Sequence, residues 1–451
     1  MTGDGVVVGE RGATFGDVFR VAEFRVIFAG YSVFLVGETV KMLALSVLIY
    51  ERTGSSLLAA IAYVAGFLPH ALGGVFLLAL ADRWRPRGLM VGYDLVRLVM
   101  VAVLAVGVLS PGAMLCLVFA VGMLAPVTGA VRTALLPDLL AGDAYVLGRS
   151  LFTVAAGGTQ VLGFAVGGLL IGLVGPYGAL WLTAGTCLLS ALLIRFGLTD
   201  HPARSAAGTP GAAATVAAGT EGVVAAGTAV RSEASVPPRS GAVRETWRVN
   251  RELLADRKIR GLLLANWLPG SLLVGAEGVV VPYTAGLGAG GDGAGGGDAA
   301  GVLFMAAAFG MLVGDLIVGR FVAPATRERL TPWLALLLGV PMLGFLAGPG
   351  LAVAAPLFAL ATAGFAYHLG LARRFLAAVP ERRRGQAFGL SMTGMMTGQG
   401  LAAGGAGALA EVLAPGLVMA LAGAASVAAT VLLWRQLRTK PLKGDDTGES
   451  R

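Results

Sequence analysis

The chain has 451 residues, of which 56% are hydrophobic and 13% are charged, and its mean hydropathy is +0.79. A soluble domain carries nearer a quarter charged residues, so this composition excludes an ordinary soluble protein. The formal net charge of +8 is accounted for by basic loops that face anionic lipid, and no nucleic-acid partner is expected.

Mostly apolar stretches of about 20 residues recur along the chain, each long enough to cross a hydrocarbon core of ~30 Å. The first six are 26–49, 57–81, 88–108, 112–131, 151–174 and 177–197. After a long gap come 261–284, 299–320, 331–348, 351–372, 386–411 and 415–435. They are numbered here as spans 1 to 12. All but Lys41, Arg52 and Arg97 of the 34 Lys and Arg residues lie in the terminal segments or at the even-numbered loops. Basic residues resist translocation and mark the cytoplasmic side. The predicted fold class is therefore an all-α membrane protein with twelve transmembrane helices in two six-helix bundles and both ends in the cytoplasm. The expected organisation is a tail at 1–25, a bundle at 26–197, a linker at 198–260, a second bundle at 261–435 and a tail at 436–451.

The first 25 residues are polar and carry no pattern of a cleavable signal, so span 1 is expected to serve as the insertion signal. Cys116 and Cys187 fall inside apolar spans and are read as buried small hydrophobes, with no disulfide framework or metal-ligand spacing. Arg far outnumbers Lys, and Ala and Gly are abundant, which suits a GC-rich bacterial genome. The expected location is a bacterial cytoplasmic membrane.

The central gap has two parts. Residues 198–242 are rich in Ala, Gly, Thr, Ser and Pro and hold no Phe, Trp or Tyr. Such a segment buries too little surface to offset its ordering entropy and reads as a disordered linker. In residues 243–258, Val243, Trp247 and Leu254 can share a helical face bordered by Arg244, Arg248, Arg251 and Lys258. Two readings fit, a helix lying at the inner membrane surface or an ordinary helix capping span 7. Residues 286–298 are nearly all Gly, Ala and Asp and read as a flexible loop on the opposite side.

Glu38 in span 1 and Glu277 in span 7 each follow a Leu-Val-Gly stretch, a weak echo between the halves. Internal repeats with a substrate site between them are common in secondary transporters. Charges inside spans are the sharper signal. Glu38, Lys41, Asp94, Arg97, Glu277 and Asp315 each cost ~2.5–3.5 kcal/mol at a helix centre, so each should face a partner or a wet cavity. Glu38 with Lys41, and Asp94 with Arg97, are spaced i, i+3 and share a face. Asp94 and Arg97 are read as a structural pair. Glu38, near the middle of span 1, is read as a proton-coupling or substrate-cavity group together with Lys41, Glu277, Asp315 and His70. Both His70 and His368 also suit neutral packed imidazoles. Met392, Met395 and Met396 line one side of span 11, which suits either a permissive binding surface or ordinary packing.

Span 2 is followed by Leu80-Ala81-Asp82-Arg83-Trp84-Arg85-Pro86-Arg87, and span 3 carries Asp94-Leu95-Val96-Arg97. Tyr50-Glu51-Arg52-Thr53-Gly54-Ser55, Leu136-Pro137-Asp138-Leu139 and Arg384-Gly385-Gln386-Ala387-Phe388-Gly389 follow at matching places. In this order they resemble the major facilitator superfamily, especially its branch of drug, macrolide and enterobactin exporters. The resemblance covers nearly the whole chain apart from the linker and tails. It implies the two pseudo-symmetric bundles of that fold, efflux of a drug or natural product, and exchange for protons. It also implies an inner gate at Asp82, Arg83, Arg87, Asp94 and Arg97, with the start of span 11 as the partner of Asp82. Span 5 carries Gln160, Gly163, Gly167 and Gly168 in a pattern similar to the family's antiporter signature, with Phe164 in place of Pro. These glycines serve either a tight interface that closes the outer side or general packing. Leu78 and Pro86 depart from the loop signature. The mid-helix arginine of span 4 is also absent, since Arg132 sits at its inner end.

No phosphate-binding loop, metal-ligand set or serine nucleophile elbow is present in the sequence, so no enzyme activity and no cofactor are expected. The expected function is secondary active export of a small amphipathic organic molecule by alternating access. The partners would be that substrate, protons and membrane lipids, and the chain is expected to act as a monomer. The alternatives are a lipid or lysolipid transporter of the same fold, or a transporter-like sensor or scaffold without flux.

Overall fold

The computed structural model describes residues 14–66, 69, 84–140, 143–201, 242–288, 296–380 and 383–438. Every regular element among them is helical. A chain this apolar has that solution open to it because a helix satisfies its own backbone hydrogen bonds where lipid offers none.

The described residues fall into two compact units. One takes the chain up to Leu48 and from Leu68 to Val224, the other Ile49 to Phe67 and everything from Ala225. In the first unit, α1 (Phe15–Arg20) precedes α2 (Ala22–Thr53), the first predicted span. Thr14 caps α1. Its hydroxyl accepts from the Asp17 N–H, and the Asp17 carboxylate accepts from the Thr14 hydroxyl and then the Thr14 N–H, two bonds that hold the Asp17 carboxyl below its usual range. α3 (Ser56–Tyr63) belongs to the second unit. The first unit resumes with α4 (Pro86–Val106), α5 (Pro111–Gly122), α6 (Ala125–Leu139) and α7 (Asp143–Gly197). α4 packs chiefly along α7.

The second unit continues with α8 (Ala242–Ala255), α9 (Arg257–Glu277), α10 (Val280–Gly288) and α11 (Gly296–Phe321). α12 (Pro324–Gly339) runs into a 3-10 turn, Pro341–Ala347. α13 (Leu351–Ala363) and α14 (Tyr367–Ala378) are joined by another, Gly364–Ala366. α15 (Arg384–Leu409), α16 (Pro415–Leu432) and α17 (Trp434–Leu437) complete it. α9 packs mainly on α15 and α16, and α11 on α13.

Nine helices among the described residues are long and apolar enough to cross a membrane. One of them, Leu147–Gly197, has 51 residues. At 1.5 Å per residue it is more than twice the length needed for one crossing. Gly175 breaks it, with φ 71° and ψ 172°. A side chain is strained there, and Pro176 follows with no N–H to continue the ladder. This break falls between the predicted spans 5 and 6. α15 is not among the nine, because its Gly, Ser, Thr and Gln residues lower its hydropathy.

Several expectations are corrected. The first span is longer than 26–49 at both ends. Residues 286–288 and 296–298, expected in a loop, extend α10 and α11. Cys116 is exposed, and only Cys187 is buried. Among the described side chains of α8, which packs on α9 and α15, Val249 and Leu253 are buried and Leu254 is half-buried. The side chains of Val243, Arg244 and Trp247 lie outside the described residues. So do the interior of span 2, most of the 198–242 linker, and His70, Asp82 and Arg83.

Candidate functional site

In the first unit the two predicted i, i+3 pairs merge into one network. Arg97 on α4 reaches Glu38 on α2, with Nη2 donating to Oε2 at 3.0 Å. Its Nη1 donates to Asp94 Oδ1 at 3.4 Å. Lys41 Nζ donates to the other oxygen of Glu38. Ser190 on α7 donates to Asp94 Oδ2 at 2.7 Å. The guanidinium of Arg97 also lies over the Phe34 ring, 4.2 Å from its centroid. Two acids and two bases cancel, so the network is electrically neutral and costs far less to bury than any member alone. The Arg97 side chain is 1% exposed and that of Glu38 is 35% exposed, so Glu38 is the member that opens outward.

Small residues make this geometry possible. A Cβ on Gly37 would lie 2.2 Å from the Thr186 hydroxyl, and one on Gly163 would lie 2.7 Å from Thr39 Cβ. Gly167 sits against the Val40 backbone. The glycines predicted as an antiporter-like motif therefore bring α7 close to α2 at the residues flanking Glu38 and Lys41. Gly168 is buried and Gln160 half-buried in the same stretch. Arg132 lays its guanidinium on Tyr31, 3.7 Å from the ring centroid. Arg87, at the start of α4, is half-buried.

In the second unit Glu277 has a different setting. It ends α9 and is buried. Its Oε2 accepts from the Tyr63 hydroxyl at 2.9 Å. The Tyr63 ring stacks on Phe304, with centroids 4.8 Å apart. Among the described residues no Lys, Arg or His forms an ion pair with Glu277. Gly275 and Gly278 fit α9 closely against Ala402 and Ala403 of α15. Asp315, on α11, is exposed and makes no hydrogen bond among the described residues. A second polar group joins α9, α14 and α15. Asn266 Nδ2 donates to Ser391 Oγ at 3.2 Å, Trp267 Nε1 to the Ser391 carbonyl at 2.7 Å, and Tyr367 to the Asn266 carbonyl at 2.7 Å. His368 Nε2 is buried beside them without a partner among the described residues. Met392, Met395 and Met396 are half-buried along α15.

The same unit grips α3 at both ends. Tyr63 holds one end. At the other, Glu411 Oε1 accepts from the Leu57 N–H at 2.8 Å and from the Ser55 hydroxyl at 2.7 Å. Gly407 admits the backbone of α3, where a Cβ would lie 2.9 Å from Leu57 Cα. The Leu57 amide, then the Ser55 hydroxyl, hold the Glu411 carboxyl below its usual 4.5. The folded value is the lower one, so this contact stabilises the fold above about pH 4.5 and is lost as pH falls through the lowered value. Glu411→Gln is expected to lower the thermal unfolding midpoint by about 1–3 °C at neutral pH, with the difference closing in acid once the carboxyl is protonated. An equal difference at both pH values would show that charge is not what holds α3.

Long-range partners escaped the sequence reading. Nothing marks Ser190 or Tyr63 as partners of Asp94 and Glu277, since 96 and 214 residues separate the pairs. Glu411 was visible only as the last residue of predicted span 11.

The two units define a multi-pass α-helical membrane protein whose charged groups are held inside helical packing rather than in a catalytic cleft. A family model described as Major Facilitator Superfamily matches residues 27–376, and the chain belongs to that superfamily. It is a membrane transport protein and not an enzyme.

Among these neighbours is a bacterial homologue of the human lysosomal transporter Spinster, with a TM-score of 0.60 and 16% identity, covering 95% of this chain and 100% of that one. The nucleoside transporter NupG gives 0.65 and 12%, covering 92% and 99%. A D-xylose–proton symporter gives 0.63 and 14%, covering 95% and 100%. At such identities they share the fold alone. Macrolide efflux protein A of Streptococcus pyogenes is 34% identical over 74 residues, which is 16% of this chain and 18% of that protein. The chain thus matches less than a fifth of that relative's length.

Proposed function

We propose that the chain is a secondary active exporter of a small amphipathic organic molecule, working by alternating access and exchanging substrate for protons. It would lie in a bacterial cytoplasmic membrane as a monomer of twelve transmembrane helices, grouped as 26–197 and 261–435. Both ends and residues 198–258 would be inside. The partial likeness to a macrolide efflux protein supports the direction of transport.

The observation that carries the coupling is the contrast between two carboxylates. Glu38 is balanced by Lys41 and Arg97, whereas buried Glu277 has a tyrosine hydroxyl and no ion pair among the described residues. A lone charge inside the membrane is costly, and a proton removes that cost. Glu277 is therefore the group proposed to load and release the coupling proton. Export from liposomes under an imposed pH gradient tests the function. Substrate-dependent uphill flux supports it. Movement of labelled lysolipid alone would favour a lipid transporter, and no flux of any substrate a sensor or scaffold.

Orientation has its own test. With both native cysteines replaced, Ser240→Cys is expected to resist an impermeant thiol reagent in intact cells and to react once the membrane is opened. Labelling in intact cells would invert the topology. Asp82→Asn is expected to slow transport with insertion and expression unchanged, as a gate residue would. Normal flux in that variant would remove Asp82 from the gate.

A further inference from the structure

We infer that the junction of α8 and α9 is a docking surface for anionic phospholipid headgroups. α9 begins the membrane-crossing helix Arg257–Leu287, which places residues near 257 at headgroup depth. Arg251, Arg257 and Lys258 are exposed there, and none forms an ion pair among the described residues. Arg260 is exposed too and spends one N–H on the Leu254 carbonyl at 3.3 Å.

The acids within the same stretch are committed elsewhere. Glu252 pairs with Arg383 at 2.6 Å, and the weaker contact of Arg248 with it is 4.0 Å. Asp256 caps α9, accepting from the Lys258 and Ile259 N–H groups at 2.8 and 3.0 Å. Among the described residues the cations are therefore left without a local counter-charge. Neither the linker nor the C-terminal tail carries an excess of acid. Residues 202–241 carry Arg204, Arg231 and Arg239 against Glu221 and Glu233. In residues 439–451 the acids Asp445, Asp446 and Glu449 are matched by Lys440, Lys443 and Arg451. Phosphate groups of the leaflet are the complementary charge at this depth, and each basic residue near an anionic surface strengthens binding about fivefold.

The opposite side of α8 is fixed to the helical core. Val249 and Leu253 are buried, Gln386 Nε2 donates to Asn250 Oδ1 at 3.2 Å, and Glu252 holds Arg383, the residue before α15. A headgroup bound to the exposed face thus steadies the start of α15 through α8.

The test is hydrogen exchange of full-length protein in nanodiscs of phosphatidylcholine with or without phosphatidylglycerol. The expected result is slower exchange across residues 248–258 with phosphatidylglycerol. That protection is lost in Arg251→Gln/Arg257→Gln/Lys258→Gln and kept in Arg251→Lys/Arg257→Lys, which preserves charge. Thermal unfolding of each variant controls for folding. Protection independent of phosphatidylglycerol, or retained by the triple Gln variant, would overturn the inference. So would equal protection by inorganic phosphate in phosphatidylcholine discs, which would name a soluble anion. Loss of protection on truncation after Arg438 would assign the surface to the chain's own tail instead.

Discussion

Glu277→Gln is expected to abolish uphill export driven by a pH gradient while leaving downhill exchange of substrate intact. Gln keeps the shape of the side chain and can still accept from Tyr63, but it can neither take up nor release a proton. Helix packing at Gly275 and Gly278 is untouched, so the variant should insert and purify normally. Tyr63→Phe is the graded companion. It keeps the stack on Phe304 and removes one hydrogen bond to a carboxylate, worth ~1.5–3 kcal/mol. Coupled export should then continue at a reduced rate. Glu38→Gln is expected to behave differently, because it leaves Lys41 and Arg97 with surplus positive charge. Its main consequence should be lost stability, not selective uncoupling. Uphill export by Glu277→Gln with an unchanged pH dependence would dismiss Glu277 and turn attention to Asp315.

The sequence carried the membrane class because it is written in composition and in the alternation of Arg, both of which act locally. The break at Gly175 was legible for the same reason: Gly-Pro between two apolar runs has few helical solutions. The pairs Glu38–Lys41 and Asp94–Arg97 were legible because i, i+3 spacing is a property of one helix. Their union was not, since the Arg97–Glu38 contact depends on how closely α2 and α4 approach. Glu277 was found as an intramembrane acid, but its isolation could only be seen once its surroundings were known. That Val249 and Leu253 are the residues α8 buries was not legible, because which side of the helix turns inward depends on where α9 and α15 lie.

Arg97→Met is expected to cost ~3–5 kcal/mol of stability, the usual penalty for removing one partner from a buried ion network. Met preserves much of the stem that lies over Phe34, so the loss reports charge more than volume. Asp94 would keep Ser190 but lose its cation, and Glu38 would keep only Lys41. For a unit of this size the thermal midpoint should fall on the order of 10 °C. Adding Asp94→Asn restores charge balance, because the Glu38–Lys41 pair is neutral by itself. Replacing buried ion pairs by neutral groups is often close to neutral in energy. The double variant should therefore recover much of the loss, and it remains informative even if Arg97→Met alone fails to fold. A double variant no more stable than Arg97→Met would mean that Arg97 serves through packing against Phe34 and Tyr93, with the carboxylates bystanders to its role.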